Sequence, residues 1–143
     1  MSVRALETAS EEETIALGEQ LGRNLKPPAV VLLIGELGAG KTTLAKGILA
    51  GLSVASPEEV TSPTFTLIHE FAGARRAYHV DLYRIETAAE ALALGLDDLL
   101  AAEAVLLVEW GERFPRLWPP ERIEIRLEHL SDSRRRITIA ELS

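Results

Sequence analysis

Residues 35–43, GELGAGKTT, hold the densest chemical signal in the chain. They fit the pattern glycine, four residues, glycine, lysine, then serine or threonine, with Gly35, Gly40, Lys41 and Thr42 at the fixed positions. Glycine reaches backbone angles that a Cβ forbids and lets the main chain approach a ligand closely. The amides of Glu36, Leu37, Gly38, Ala39, Gly40, Lys41, Thr42 and Thr43 can therefore form a concave nest for an anion. A helix beginning directly after such a loop turns its positive end toward the same anion. Lys41 is expected to reach the β- and γ-phosphates of a nucleotide, and the hydroxyl of Thr42 to ligate Mg²⁺. The plain alternative is a glycine-rich turn between a strand and a helix, with no ligand.

A magnesium nucleotide site of this kind needs an acid at the end of a neighbouring strand. Two residues qualify. Glu109 closes the apolar run in AVLLVEW, and Asp81 follows AYHV. Each is expected at the carboxyl edge of a sheet, where α/β proteins bind ligands. Glu109 is the candidate metal-side acid, and either carboxylate could position a water. The competing roles are a solvated strand end for Glu109 and a turn or capping residue for Asp81. TSPTF, residues 61–65, occupies the position of a nucleotide-sensing switch, with Thr64 the first choice to meet Mg²⁺ or the γ-phosphate and Ser62 the second; an ordinary Ser-Pro turn is the alternative. His69 and His79 are expected to be structural. Trp110 reads either as core or as an aromatic facing nucleotide or partner. Arg134, Arg135 and Arg136 could contact phosphate or a partner acid, but as a strand entry in an acidic chain they read first as a solvated charge run.

Two absences sharpen the nucleotide. Asn24 is the sole asparagine, so the Asn-Lys-x-Asp motif that reads guanine cannot be present. That favours ATP over GTP. Gln20 precedes the loop, so no later glutamine can orient water, and Asp81 or Glu109 must do so.

The elements that must hold these groups follow from periodicity. SEEETIALGEQLGRNL predicts a helix with Leu17, Leu21 and Leu25 along one side and a capping box of Ser10 with Glu13. AVVLLIG predicts a strand covered on both faces, and KTTLAKGILAGL a helix, so residues 29–52 read strand, loop, helix. TLIHEF and RAYHVDLY predict a hairpin. TAAEALALG predicts a short helix capped by Thr87 with Glu90 and ended at Gly95, and DDLLAA a further helical turn or two. AVLLVEW predicts a second buried strand. RIEIRLEHL and RRRITIAEL alternate as two strands with one exposed face. The expected fold is a single three-layer α/β P-loop domain over residues 1–143. Its sheet is mixed and mostly parallel, with added antiparallel strands.

Composition sets outer limits. A chain of 143 residues that is 47% hydrophobic can bury one core. It has no cysteine, no long apolar run and no amino-terminal signal pattern, so a cytoplasmic protein without membrane association is expected. A net charge of −7 makes it a poor nucleic-acid binder by itself.

GELGAGKTT, SPTFTL, HVDLYR and LLVEW, in this order and spacing, resemble the TsaE family, also called YjeE. These are small bacterial P-loop ATPases of tRNA threonylcarbamoyladenosine synthesis. The resemblance implies a Mg²⁺-dependent ATPase, weak by itself, acting with TsaD-like and TsaB-like proteins. Together they modify the adenosine next to the anticodon in tRNAs that read codons beginning with A. Group transfer would belong to the TsaD-like partner, and tRNA would be met only through partners. Two rival readings are a small-molecule kinase, which needs an acceptor pocket and an arginine-bearing lid, and a nucleotide-gated interaction module.

Overall fold

A computed structural model describes residues 2–36, 38–55, 67–73 and 75–143. Leu37 and the TSPTF segment with Ser62 and Thr64 therefore lie outside the described residues. Seven strands form one mixed sheet: β1 (Ser2–Thr8), β2 (Ala29–Ile34), β3 (Ile68–Ala72), β4 (Arg76–Asp81), β5 (Val105–Glu109), β6 (Arg122–His129) and β7 (Arg135–Leu142). Their order is β1-β7-β6-β2-β5-β4-β3. The middle four, β6-β2-β5-β4, are parallel, and antiparallel strands extend both edges. This is the expected α/β architecture.

Strands β2 and β5 lie at the centre of the sheet and are apolar on both faces. Val31, Leu33, Val105 and Leu107 point into one core, while Val30, Leu32, Leu106 and Val108 point into the other. The first core is roofed by helices α1 (Glu11–Asn24) and α2 (Lys41–Gly51). The second lies under α3 (Ala88–Ala93), α4 (Leu96–Ala101) and a pair of 3-10 turns at Gly111–Arg113 and Pro115–Leu117. The predicted stripe of Leu44 and Ile48 on α2, with Leu52 at its C-cap, is fully buried.

Helix α1 seats differently from its leucine pattern. Leu17 and Leu21 are only partly buried, and the deepest face is Thr14, Gly18 and Gly22. Gly18 and Gly22 on α1 cross Gly47 and Gly51 on α2. A Cβ on Gly18 would stand 2.6 Å from the Leu44 carbonyl oxygen, and a Cβ on Gly47 would collide with that of Ile15. The two helices thus touch backbone to backbone, which only glycine permits.

Both predicted caps form. Glu13 donates its amide to Ser10 Oγ at 3.1 Å, and Glu90 donates to Thr87 Oγ1 at 3.1 Å. At the first cap the return bond reaches one residue further back than a capping box requires, from the Ala9 amide to Glu13 Oε1 at 2.7 Å. Gly95, in the left-handed region at φ 89°, ends α3 and opens α4.

Candidate functional site

Three parallel strands deliver the chemistry to one place. Because side chains alternate along a strand, Ala77, His79 and Asp81 on β4 share a face with Val105, Leu107 and Glu109 on β5. That face is the one covered by α2. Asp81 and Glu109 are register partners at the carboxyl ends of their strands. Strand β2, paired to the other side of β5, runs straight into the glycine loop. The two sequence-predicted acids and the loop therefore meet at one edge of the sheet.

Helix α2 starts as an anion site does. Gly38 and Gly40 take left-handed φ values of 80° and 101°. Gly40 occupies the N-cap position, makes no side-chain cap, and no acidic residue follows in the first turn. Helix α1 shows the contrast, with a serine cap and Glu11, Glu12 and Glu13 in its first turn. The first turn of α2 thus leaves its positive end for a ligand.

Lys41 is 4% exposed. Its Nζ donates to the Gly35 carbonyl at 2.6 Å and lies 3.6 Å from the centre of the Trp110 ring. Burial pulls this ammonium below the ordinary lysine value of 10.5, against the opposing pull of Glu109, Glu112 and Asp81. Thr42 Oγ1 donates to Glu109 Oε2 at 3.3 Å, so the hydroxyl and carboxylate already face each other. His79 Nε2 lies 2.6 Å from the same oxygen. Asp81 Oδ1 accepts the Tyr83 amide at 2.9 Å. Burial nonetheless raises its carboxyl above 3.8, and Glu109 pushes in the same direction.

Trp110 sits half-buried at φ 67°, a left-handed angle unusual for a side chain of this size. This bend ends β5 directly after Glu109 and turns the indole over Lys41. Arg113 lies 4.8 Å from the same ring, and the Tyr83 ring lies 5.2 Å away, tilted by 50°. The indole therefore faces the loop lysine and is not simple core filling.

The arginine run divides three ways. Arg134 pairs with Glu7 at 2.8 Å and Arg136 with Glu128 at 4.0 Å. Arg135 turns to the α2 face, where Nη2 reaches the Gly38 carbonyl at 3.5 Å. It borders a cleft of about 290 Å³ lined also by Ser10, Thr14, Gly40 and Thr43. His79 and Arg135 were not singled out as site residues by the sequence. Strand alternation was the available signal, because it sets Arg135 on the face of Ile137 and Ile139, and His79 on that of Asp81. His69 stands opposite His79 across the β3–β4 pair and is partly buried.

The donor set suits a magnesium nucleotide. It offers an ammonium, a hydroxyl and a carboxylate beside an uncapped helix start, all hard oxygen or cationic groups. Among the described residues, no cluster of three or more His, Asp or Glu could hold a metal unaided. No helix among the described residues is long and apolar enough to cross a membrane.

The family model described as threonylcarbamoyl adenosine biosynthesis protein TsaE matches residues 8–137. The chain belongs to the TsaE family. Proteins named tRNA threonylcarbamoyladenosine biosynthesis protein TsaE are similar along most of its length. The one from Treponema pallidum is 38% identical over 131 residues, covering 92% of this chain and 96% of the relative. The one from Bacillus subtilis is 41% identical over 132 residues, covering 92% and 81%. A crystal structure of Bacillus subtilis YdiB superposes with a TM-score of 0.81 at 34% identity, covering 99% of this chain and 87% of that one. The TsaE resemblance and the mixed α/β sheet expected from sequence are both borne out.

Proposed function

We propose that this TsaE-family chain is the ATP-binding and ATP-hydrolysing subunit of tRNA threonylcarbamoyladenosine synthesis, acting in the cytoplasm with TsaD-like and TsaB-like proteins that carry the tRNA and the group transfer. The observation that supports it best is the meeting of Lys41, Thr42, Glu109 and Asp81 around the uncapped start of α2, in a family whose relatives are named for that modification.

In this reading the loop amides from Glu36 to Thr43 bind phosphate, and Lys41 leaves its Gly35 and Trp110 contacts to meet the β- and γ-phosphates. Thr42 and Glu109 hold Mg²⁺, directly or through water. Mg²⁺ held there would supply charge neutralisation at the phosphates. Asp81 orients the attacking water. The cleft beside Thr14, Thr43 and Arg135 is the site available to the nucleoside.

The arginines weigh against a small-molecule kinase. Arg75 donates to the Leu25 carbonyl at 2.7 Å, at the far end of α1, and Arg76 pairs with Glu70 at 3.6 Å. Neither is presented as a lid.

The test separates the two acids. Asp81→Asn is expected to keep ATP affinity while hydrolysis falls by about 10²–10⁴-fold, and multiple-turnover tRNA modification with partners should fail with it. Glu109→Gln is expected to weaken binding only when Mg²⁺ is present. Unchanged hydrolysis and modification in Asp81→Asn would leave Glu109 as the sole catalytic acid.

A further inference from the structure

We propose that His79 is a positioning residue that fixes Glu109 for Mg²⁺. The inference rests on the reading of Glu109 as the metal-side acid given above.

His79 is fully buried, on the α2-facing side of β4. It stands opposite Leu107 in the β4–β5 register, one side-chain step behind Glu109 on the same face. From there its Nε2 reaches forward to Glu109 Oε2 at 2.6 Å. A carboxylate acceptor requires the imidazole hydrogen to be on Nε2. The Thr42 hydroxyl approaches the same oxygen at 3.3 Å. Two donors from different elements, one on a strand and one on the nucleotide-binding helix, thus converge on one carboxylate oxygen. Together they set the plane of the acid relative to α2.

The other ring nitrogen argues that packing is not the reason for a histidine here. His79 Nδ1 is buried and has no hydrogen-bond partner among the described residues. Its neighbours on this face of the sheet include Ala77, Leu107 and, across the β3–β4 pair, His69; an aliphatic side chain here would strand no polar atom. Among the described residues, the one polar contact of the ring is the bond to Glu109. A carboxylate that ligates a metal depends on such outer partners for its orientation, and losing one costs 10–100-fold in metal affinity or activity.

The experiment measures binding of a non-hydrolysable ATP analogue by calorimetry, in EDTA and at stepped Mg²⁺ concentrations. It compares the wild type with Glu109→Gln, His79→Leu, His79→Asn and His79→Gln. A glutamine amide nitrogen sits about where Nε2 does, whereas asparagine ends near Nδ1 and falls short of Glu109. His79→Leu and His79→Asn should raise the Mg²⁺ needed for half-maximal tightening by about 10–100-fold and leave affinity in EDTA unchanged. His79→Gln should behave like the wild type. If His79→Leu does not fold, the Gln–Asn pair decides. Wild-type Mg²⁺ dependence in His79→Asn, or equal impairment in His79→Gln, overturns the proposal while a weakened Glu109→Gln still supports the acid. An unaltered Glu109→Gln removes the reading of Glu109 itself.

Discussion

Lys41 is held in the folded chain at a cost. Its ammonium is buried, and burial is the largest influence on it, outweighing three nearby carboxylates. A lysine whose folded value is lowered binds its proton more weakly in the native state than in the unfolded chain. Stability should therefore rise with pH across the window that ends at 10.5, and the cost is fully present at neutral pH. Lys41→Met keeps the length and removes the charge. Without nucleotide it should melt at or above the wild-type temperature near pH 7, and that advantage should shrink as pH approaches 10.5. ATP binding should be lost in the same variant. A clear drop in melting temperature at neutral pH, with no nucleotide present, would mean that the Gly35 and Trp110 contacts outweigh desolvation. The convergence of Lys41, Thr42 and Glu109 was legible in the sequence, because fixed local spacing and the end of an apolar run set where they lie. His79 and Arg135 were not. Each meets a group distant in the chain, Glu109 for His79 and the Gly38 carbonyl for Arg135, and that meeting is set by strand register and by which face a helix covers.

At the scale of elements, the crossing of α1 on α2 fixes where the glycine loop points. Ile15, Gly18, Glu19 and Gly22 meet Gly47, Ile48 and Gly51 at backbone contact. Replacing Gly47 by alanine has two opposed effects. Helix propensity favours alanine by about 0.8–1.0 kcal/mol, but the new methyl collides with the Ile15 carbonyl, and backbone cannot swing aside as a side chain can. Overpacking of a close contact costs about 1–3 kcal/mol. The collision should win, so Gly47→Ala should melt lower than the wild type. Because α2 carries Lys41 and Thr42 in its first turn, nucleotide affinity should fall as well. Calorimetric melting with a nucleotide titration checks both, and a variant as stable as the wild type would show that the helices can part freely. The leucine repeat of α1 pointed to a helix but misplaced its deepest face, since a close crossing buries glycines and pushes leucines to the flank. Strand β1 was not foreseen at all. Six of its seven residues are exposed, Thr8 being the exception, so no apolar rhythm marks it. Its order comes from pairing with β7, where Leu6 stands opposite Ile137. The central β2 and β5 were legible for the opposite reason, being apolar on both faces.

For the whole molecule, charge decides what it can hold alone. The chain carries 15 lysines and arginines against 22 aspartates and glutamates. Several arginines on the β6–β7 side are already answered by acids: Arg122 by Glu124 at 2.8 Å, Arg134 by Glu7 and Arg136 by Glu128. Arg135 is turned to the glycine loop instead. Nucleic-acid affinity comes largely from cations that displace counterions from phosphate, and pairing with a carboxylate spends that capacity. If the chain serves tRNA modification, the tRNA must be gripped by partners, and the nucleotide cycle must act on the complex. The isolated chain should therefore give no tRNA complex in a gel-shift titration near physiological salt, with or without ATP. Adding TsaD-like and TsaB-like proteins should produce a tRNA complex whose formation or turnover depends on ATP hydrolysis, and Asp81→Asn should assemble yet stall after the first round. Salt-sensitive tRNA binding by the isolated chain would instead place a nucleic-acid surface on this subunit, and the pairing of its arginines with acids would then need a different explanation.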